Sequence, residues 1–167
     1  MRRALFPGSF DPVTKVHENV VIRATAMFDE VVVAVGRHGS KKSLFSVEER
    51  VAMLKATFAA HPSVKVVSYE GLTAEFCRSL GAQFQLRGVR NAVDLSYEQT
   101  LAHMTRAMHP DLDTVVLLTD PEYASIHSTV VRDVHAHGGD VSPFVPEAIL
   151  PWFCLLYTSP SPRDLAV

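Results

Sequence analysis

The run Phe6-Pro7-Gly8-Ser9-Phe10-Asp11-Pro12-Val13-Thr14-Lys15-Val16-His17 holds the residue types that phosphate chemistry needs. Pro7, Gly8 and Pro12 force a turn between a short apolar strand and an amphipathic helix. The turn delivers a hydroxyl (Ser9), backbone amides and an imidazole (His17) to a helix N-terminus. Such an end carries free N–H donors and partial positive charge, so it attracts phosphate. Arg87-Gly88-Val89-Arg90 adds two planar forks around a glycine, a pattern suited to gripping polyphosphate oxygens. Lys41, in a polar loop, is a compact cation able to hold a second phosphate; its neighbour Lys42 reads as surface. Ser128 reads as a helix N-cap that also offers a hydroxyl and nearby amides to phosphate. Glu98, taken by itself, is placed to cap and pair locally. The remaining histidines show no metal-ligand spacing; His135 and His137, two apart, point to different helix faces.

Alternating strands and helices must position these groups. Strands are predicted over 4–6, 30–35, 64–69, 84–87 and 114–118. Helices are predicted over 17–28, from Ser46 to about 60 with Glu49 closing a capping box, over 72–80, and from an Asp94 or Ser96 cap to about 108. Two more are predicted, over 129–137 and a last one whose start is Pro146–Phe153. This rhythm predicts an α/β fold, a single-domain doubly wound five-stranded parallel sheet with helices on both faces. Such sheets bind ligands at the carboxyl ends of their strands. Ser9 with His17, Lys41, Arg87 with Arg90, and Ser128 follow strands one, two, four and five, so one crevice would gather them.

Composition narrows the function classes. The chain has 167 residues, 47% hydrophobic and 20% charged, with a net charge of −2. That suits one soluble domain and excludes broad nucleic-acid binding. No apolar run reaches the ~18 residues of a membrane span. Met1–Phe6 runs straight into Pro7-Gly8, unlike a signal peptide, and Cys77 and Cys154 suggest no disulfide; the expected location is cytoplasmic. Residues 154–167 break the preceding pattern. Cys154-Leu155-Leu156-Tyr157-Thr158-Ser159 is what one reading frame of a sequencing-library transposon end encodes. The expected boundaries are a domain over 1–153, its last helix cut short, and a non-native tail over 154–167; a genuine Pro-rich disordered tail is the alternative.

The first motif resembles the (T/H)-x-G-H signature of the nucleotidyltransferase superfamily, and its longer form, P-G-S-F-D-P-x-T, resembles the phosphopantetheine adenylyltransferase family. R-G-V-R with Asp94, Tyr97 and Glu98, S-K-K at Ser40–Lys42, and Tyr123–Thr129 fall in that family's order over residues 2–150. The resemblance implies a Rossmann-like nucleotidyltransferase fold and adenylate transfer from ATP to 4′-phosphopantetheine. It implies catalytic roles for His17, Lys41, Arg90 and Ser128. ATP contacts would come from Ser9, Phe10, His17, Gly88, Val89, Arg90, Glu98 and the run Tyr123, Ala124, Ser125, Ile126, His127, Ser128 and Thr129. Substrate contacts would come from Ser9, Lys41, Thr73 and Arg87. Mg²⁺ would ride on ATP with no protein metal site, and the assembly would be a homohexamer. Three positions depart from the pattern: Val16 stands where the family has Gly, Ser125 where it has Phe, and His127 where it has Ser. A sister nucleotidyltransferase acting on nicotinate mononucleotide or a polyol phosphate, or an impaired nucleotide-binding module, are the alternatives.

Overall fold

Runs of β-branched residues, stiff at χ1 and suited to a pleated surface, become the strands. The computed structural model describes residues 1–37 and 42–158. β1 (Arg3–Gly8), β2 (Glu30–Gly36), β3 (Val64–Tyr69), β4 (Phe84–Val89) and β5 (Asp113–Leu118) form one sheet in the order β3-β2-β1-β4-β5. Every neighbouring pair is parallel. The connecting helices are α1 (Lys15–Ala24), α2 (Val47–Thr57), α3 (Thr73–Ser79) and α4 (Ala92–Met108), with α5 (Ser128–Ala136) and α6 (Leu150–Thr158) after β5. The expected single-domain, doubly wound α/β architecture is present.

The period-2 alternation of the central strands builds a core on each face. Phe6, Val31 and Val33 enter the larger one with Val20 and Val21 of α1, Met53 and Leu54 of α2, Val131 of α5 and Phe153 of α6. Leu5, Val32 and Ala34 point the other way, onto Ala74 and Cys77 of α3. Each fully buried Val or Leu contributes about 1.5–3 kcal/mol.

The sheet order places the topological switch between β1 and β4, where the chain leaves one half of the sheet for the other. These two strands pair only at Ala4–Phe84 and Leu5–Gln85, whereas β1 and β2 pair at six positions. Beyond Gln85 the strands part, and the gap opens at their carboxyl ends.

Several boundaries differ from the sequence expectation. β4 runs on to Val89, two residues past the predicted end at Arg87, so Gly88 lies inside it. α1 begins two residues before His17 and ends at Ala24, short of Phe28. The cap of α4 is Asn91, whose side chain accepts the Asp94 N–H at 2.9 Å; neither Asp94 nor Ser96 caps it. Ser128 is the first residue of α5 rather than its cap: the extended His127 holds the cap position and its carbonyl accepts the Val131 N–H at 3.0 Å, while the Ser128 hydroxyl donates to Pro12 O at 2.9 Å. The Ser46–Glu49 capping box of α2 is present. The last helix, expected to start at Pro146, begins with a 3₁₀ turn over Glu147–Ile149 and continues as α6 over Leu150–Thr158.

Candidate active site

Two clefts meet at Ser9. One, about 280 Å³, lies in the gap between β1 and β4; Gly8, Ser9, Phe10, Val16, His17, Arg87, Gly88 and Arg90 line it. The other, about 290 Å³, is lined by Ser9, Asp11, Lys42, Arg50, Ser128, Thr129 and Arg132. His17 and Arg90 line the first cleft, Ser128 lines the second, and Ser9 lines both, at the carboxyl end of the sheet.

His17 is the third residue of α1, and its ring turns back over the helix N-terminus. The Thr14 backbone N–H donates to His17 Nδ1 at 2.9 Å, and Thr14 Oγ1 lies 3.1 Å from the same nitrogen. A backbone amide only donates, so Nδ1 carries the lone pair and the proton sits on Nε2. Burial, and secondarily the positive charges of Arg90 and Arg87, push the imidazole down to about pH 4 from its usual 6.5. At neutral pH His17 is thus an uncharged hydrogen-bond donor with a fixed tautomer. The shift has a sign for folding. Between pH 6.5 and 4 the unfolded chain binds this proton and the folded one does not, so stability falls as the solution is acidified. Over that window the wild-type chain loses on the order of 3 kcal/mol more than His17→Gln, measured as the difference in denaturation midpoints.

The glycines on the cleft floor permit close approach. A Cβ at Gly8 would come within 3.0 Å of the Phe10 ring, and one at Gly88 within 3.1 Å of Val20 Cγ2. Phe10 itself has φ +49°, a left-handed backbone that is rare for a bulky side chain. Its ring meets His17 edge-on, centroids 5.0 Å apart.

Arg87 points from β4 across the split. Its guanidinium forks onto Glu98 (2.8 and 2.7 Å) and reaches Pro7 O at 3.2 Å, bridging the parted strands. Glu98 is therefore the local ion-pair partner of Arg87. Arg90 bonds Asp94 Oδ2 through Nε and Ile126 O through Nη1, and its Nη2 has no partner among the described residues. Thr73 bonds the Tyr69 hydroxyl at 2.7 Å and lines neither cleft, nor do Val89, Tyr123, Ala124, Ser125 or His127. Lys41 lies outside the described residues.

Other groups carry no motif signal of their own. Asp11, only 6% exposed, accepts the backbone N–H groups of Leu44 at 2.8 Å and Phe45 at 2.9 Å, tying the first turn to the segment that precedes α2. Asp11→Ala leaves both amides unpaired and lowers stability by about 2–4 kcal/mol, read from chemical denaturation. Thr119 Oγ1 is buried without a partner among the described residues, and Thr119 lines the cleft. His127 makes no side-chain bond to the α5 amides. His127→Ser supplies that acceptor and raises stability by about 1 kcal/mol, visible as a higher melting temperature.

The model of the cytidylyltransferase-like family matches residues 5–134. The phosphopantetheine adenylyltransferase of Flavobacterium psychrophilum is 47% identical over 149 residues, covering 89% of this chain and 98% of the relative. That of Phocaeicola vulgatus is 46% identical with the same coverage. The protein of that name from Lacticaseibacillus paracasei is 47% identical over 147 residues, 87% of this chain and 88% of its own. The chain belongs to the phosphopantetheine adenylyltransferase family. Against the family pattern, Val16 is the departure that bears on the cleft. It is 8% exposed, packs into the larger core and projects beside His17. Its backbone is ordinary; Phe10 is the one non-glycine at positive φ among the described residues. What Val16 adds to the cleft wall is therefore the bulk of its side chain and not backbone strain.

Proposed function

We propose that this chain transfers adenylate from ATP to 4′-phosphopantetheine, giving 3′-dephospho-coenzyme A and pyrophosphate. A phosphate oxygen of phosphopantetheine attacks the α-phosphorus in line. The new P–O bond forms as the bond to the bridging oxygen breaks, and pyrophosphate departs with that electron pair. No side chain becomes a nucleophile. Catalysis is positioning plus stabilisation of charge growing on oxygen.

The observation that carries this reading is the uncharged, tautomer-fixed His17 donor facing a cleft that shares Ser9 with a second, arginine-lined one. His17 Nε2–H donates to an α-phosphate oxygen as its charge rises. Ser9, with Lys41, orients the incoming phosphate. Arg90, through Nη2, and Ser128 with Thr129 at the α5 N-terminus hold the β- and γ-phosphates. Arg87 and Thr73 serve the pantetheine side, Arg87 by bridging β1 and β4. Phe10, Gly88 and Val89, with the segment from Tyr123 to His127, complete the nucleotide site, and Glu98 acts on it through Arg87.

Mg²⁺ enters as part of the substrate, on ATP. The carboxylates near the clefts are committed elsewhere: Asp11 to two amides, Asp94 to Arg90 and Glu98 to Arg87. Among the described residues no group of three or more His, Cys, Asp or Glu is arranged to hold a metal. Among them, too, no helix is long and apolar enough to cross a membrane. The reading places the enzyme in the cytoplasm as a homo-oligomer, a hexamer by resemblance. Support for self-association comes from α4, which exposes Val93, Tyr97, Met104 and Met108. Residues 154–167 take no part.

A pyrophosphate-release panel tests the reading. ATP with 4′-phosphopantetheine gives release; CTP, nicotinate mononucleotide or a polyol phosphate as replacement does not. One observation favours a second reading: Val16 occupies cleft space beside His17. If it blocks chemistry, calorimetry shows ATP binding while no acceptor yields pyrophosphate.

A further inference from the structure

The geometry points to Arg132, working with Arg50, as a positioning residue that sets His17 by fixing the turn at Phe10. The left-handed backbone of Phe10 (φ +49°) persists only where surrounding structure over-determines it. The two carbonyls flanking this residue are both gripped. Arg50 Nη1 donates to Ser9 O at 2.7 Å, and Arg132 Nη1 donates to Asp11 O at 2.7 Å. The arginines come from α2 and α5, so the turn is held from two separate helices and not by its own sequence. Arg50 is 6% exposed and also bonds Phe45 O and Ser46 O, which makes it part of the frame. Arg132 is half-buried and lines the second cleft, and its Nη2 donates to Thr129 Oγ1 at 3.2 Å. One guanidinium thereby joins the first turn to the start of α5.

The consequence for His17 runs through the Phe10 ring. The left-handed turn lays that ring edge-on against the imidazole, at 5.0 Å between centroids, and over Gly8, where a Cβ would intrude to 3.0 Å. With Asp11 O released, φ at Phe10 relaxes toward the common negative range and the ring leaves His17. The imidazole, already on the cleft wall, then loses the cover of that ring and with it part of the burial that depresses its proton affinity. A lysine at 132 keeps the charge, but as a single point donor it does not span both oxygens as the planar fork does.

The test compares Arg132→Ala and Arg132→Lys with the unaltered chain by two readouts: NMR titration of the His17 ring without substrate, and pyrophosphate release. Only the second readout rests on the adenylyl-transfer reading. In Arg132→Ala the His17 titration moves up from about 4 toward 6.5. Turnover falls about 10- to 100-fold, while KM for ATP changes less than about threefold. Arg132→Lys recovers part of both effects. If Arg132 instead touches the triphosphate, the loss falls on KM for ATP and the His17 titration stays put, which overturns the inference. Should Arg132→Ala fail to fold, Arg132→Lys carries the same readouts, and an unmoved titration overturns the inference again. An unaltered chain that releases no pyrophosphate sinks the transfer reading alone, since the titration needs no substrate.

Discussion

His17→Ala lowers turnover about 10²- to 10³-fold and leaves ATP affinity nearly unchanged. The size follows from what is removed, one preorganised donor aimed at an oxygen whose charge develops only in the transition state. The split follows from the state of the ring. A neutral imidazole held by Thr14 contributes little to ground-state attraction for a triphosphate, since it carries no net charge. In the proposed function ATP in the ground state is gripped by Arg90 and the α5 N-terminus, which the substitution leaves in place. Steady-state kinetics with calorimetric ATP binding separate the two effects. Equal losses in kcat and affinity would make His17 a ground-state contact. His17→Gln recovers part of the rate, because its amide reaches similarly and still donates.

Val16→Gly strengthens ATP binding about 5- to 150-fold, the range that follows from relieving an overpacking cost of about 1–3 kcal/mol. Val16 sits beside His17 on the cleft wall, so its removal opens space in the cleft that the proposed function gives to the nucleotide. The same change weakens the fold by about 1–3 kcal/mol, because a helical Gly replaces a branched side chain buried in the larger core. Affinity and stability therefore move in opposite directions, and calorimetry paired with thermal denaturation reads both. Val16→Ala falls between on each axis. Unchanged affinity in both variants would show that Val16 does not limit the nucleotide.

The sheet was legible in the sequence because its strands are apolar on both faces; the run Val31-Val32-Val33-Ala34-Val35 admits little else. The α2 capping box was legible because both partners lie within four residues. The two misplaced caps share a cause. Asn91 and His127 precede residues that look like better caps; the extended backbone of His127, whose carbonyl accepts the Val131 N–H at 3.0 Å, places Ser128 already inside the helix, with its hydroxyl turned to Pro12 O. Some motif residues (Ser9, His17, Arg90, Ser128) line the candidate clefts, while the groups that support them carry no motif. Arg50, Arg132 and Asp11 act on backbone groups 33 to 121 positions away, and no local spacing encodes such contacts. Arg87 read as a free phosphate fork because its partner Glu98 lies on another element, α4. The opening between β1 and β4 was likewise invisible, since strand pairing length is a property of the sheet and not of either strand.

The central claim is that His17 is a neutral donor whose proton is fixed on Nε2 and aimed at the phosphates. Long-range ¹H–¹⁵N NMR of the ring at neutral pH tests it most directly. The expected spectrum shows an unprotonated Nδ1 and a protonated Nε2, with the Nε2 signal shifting when a non-hydrolysable ATP analogue is added. A proton on Nδ1, an imidazolium at neutral pH, or an Nε2 signal indifferent to the nucleotide would contradict it.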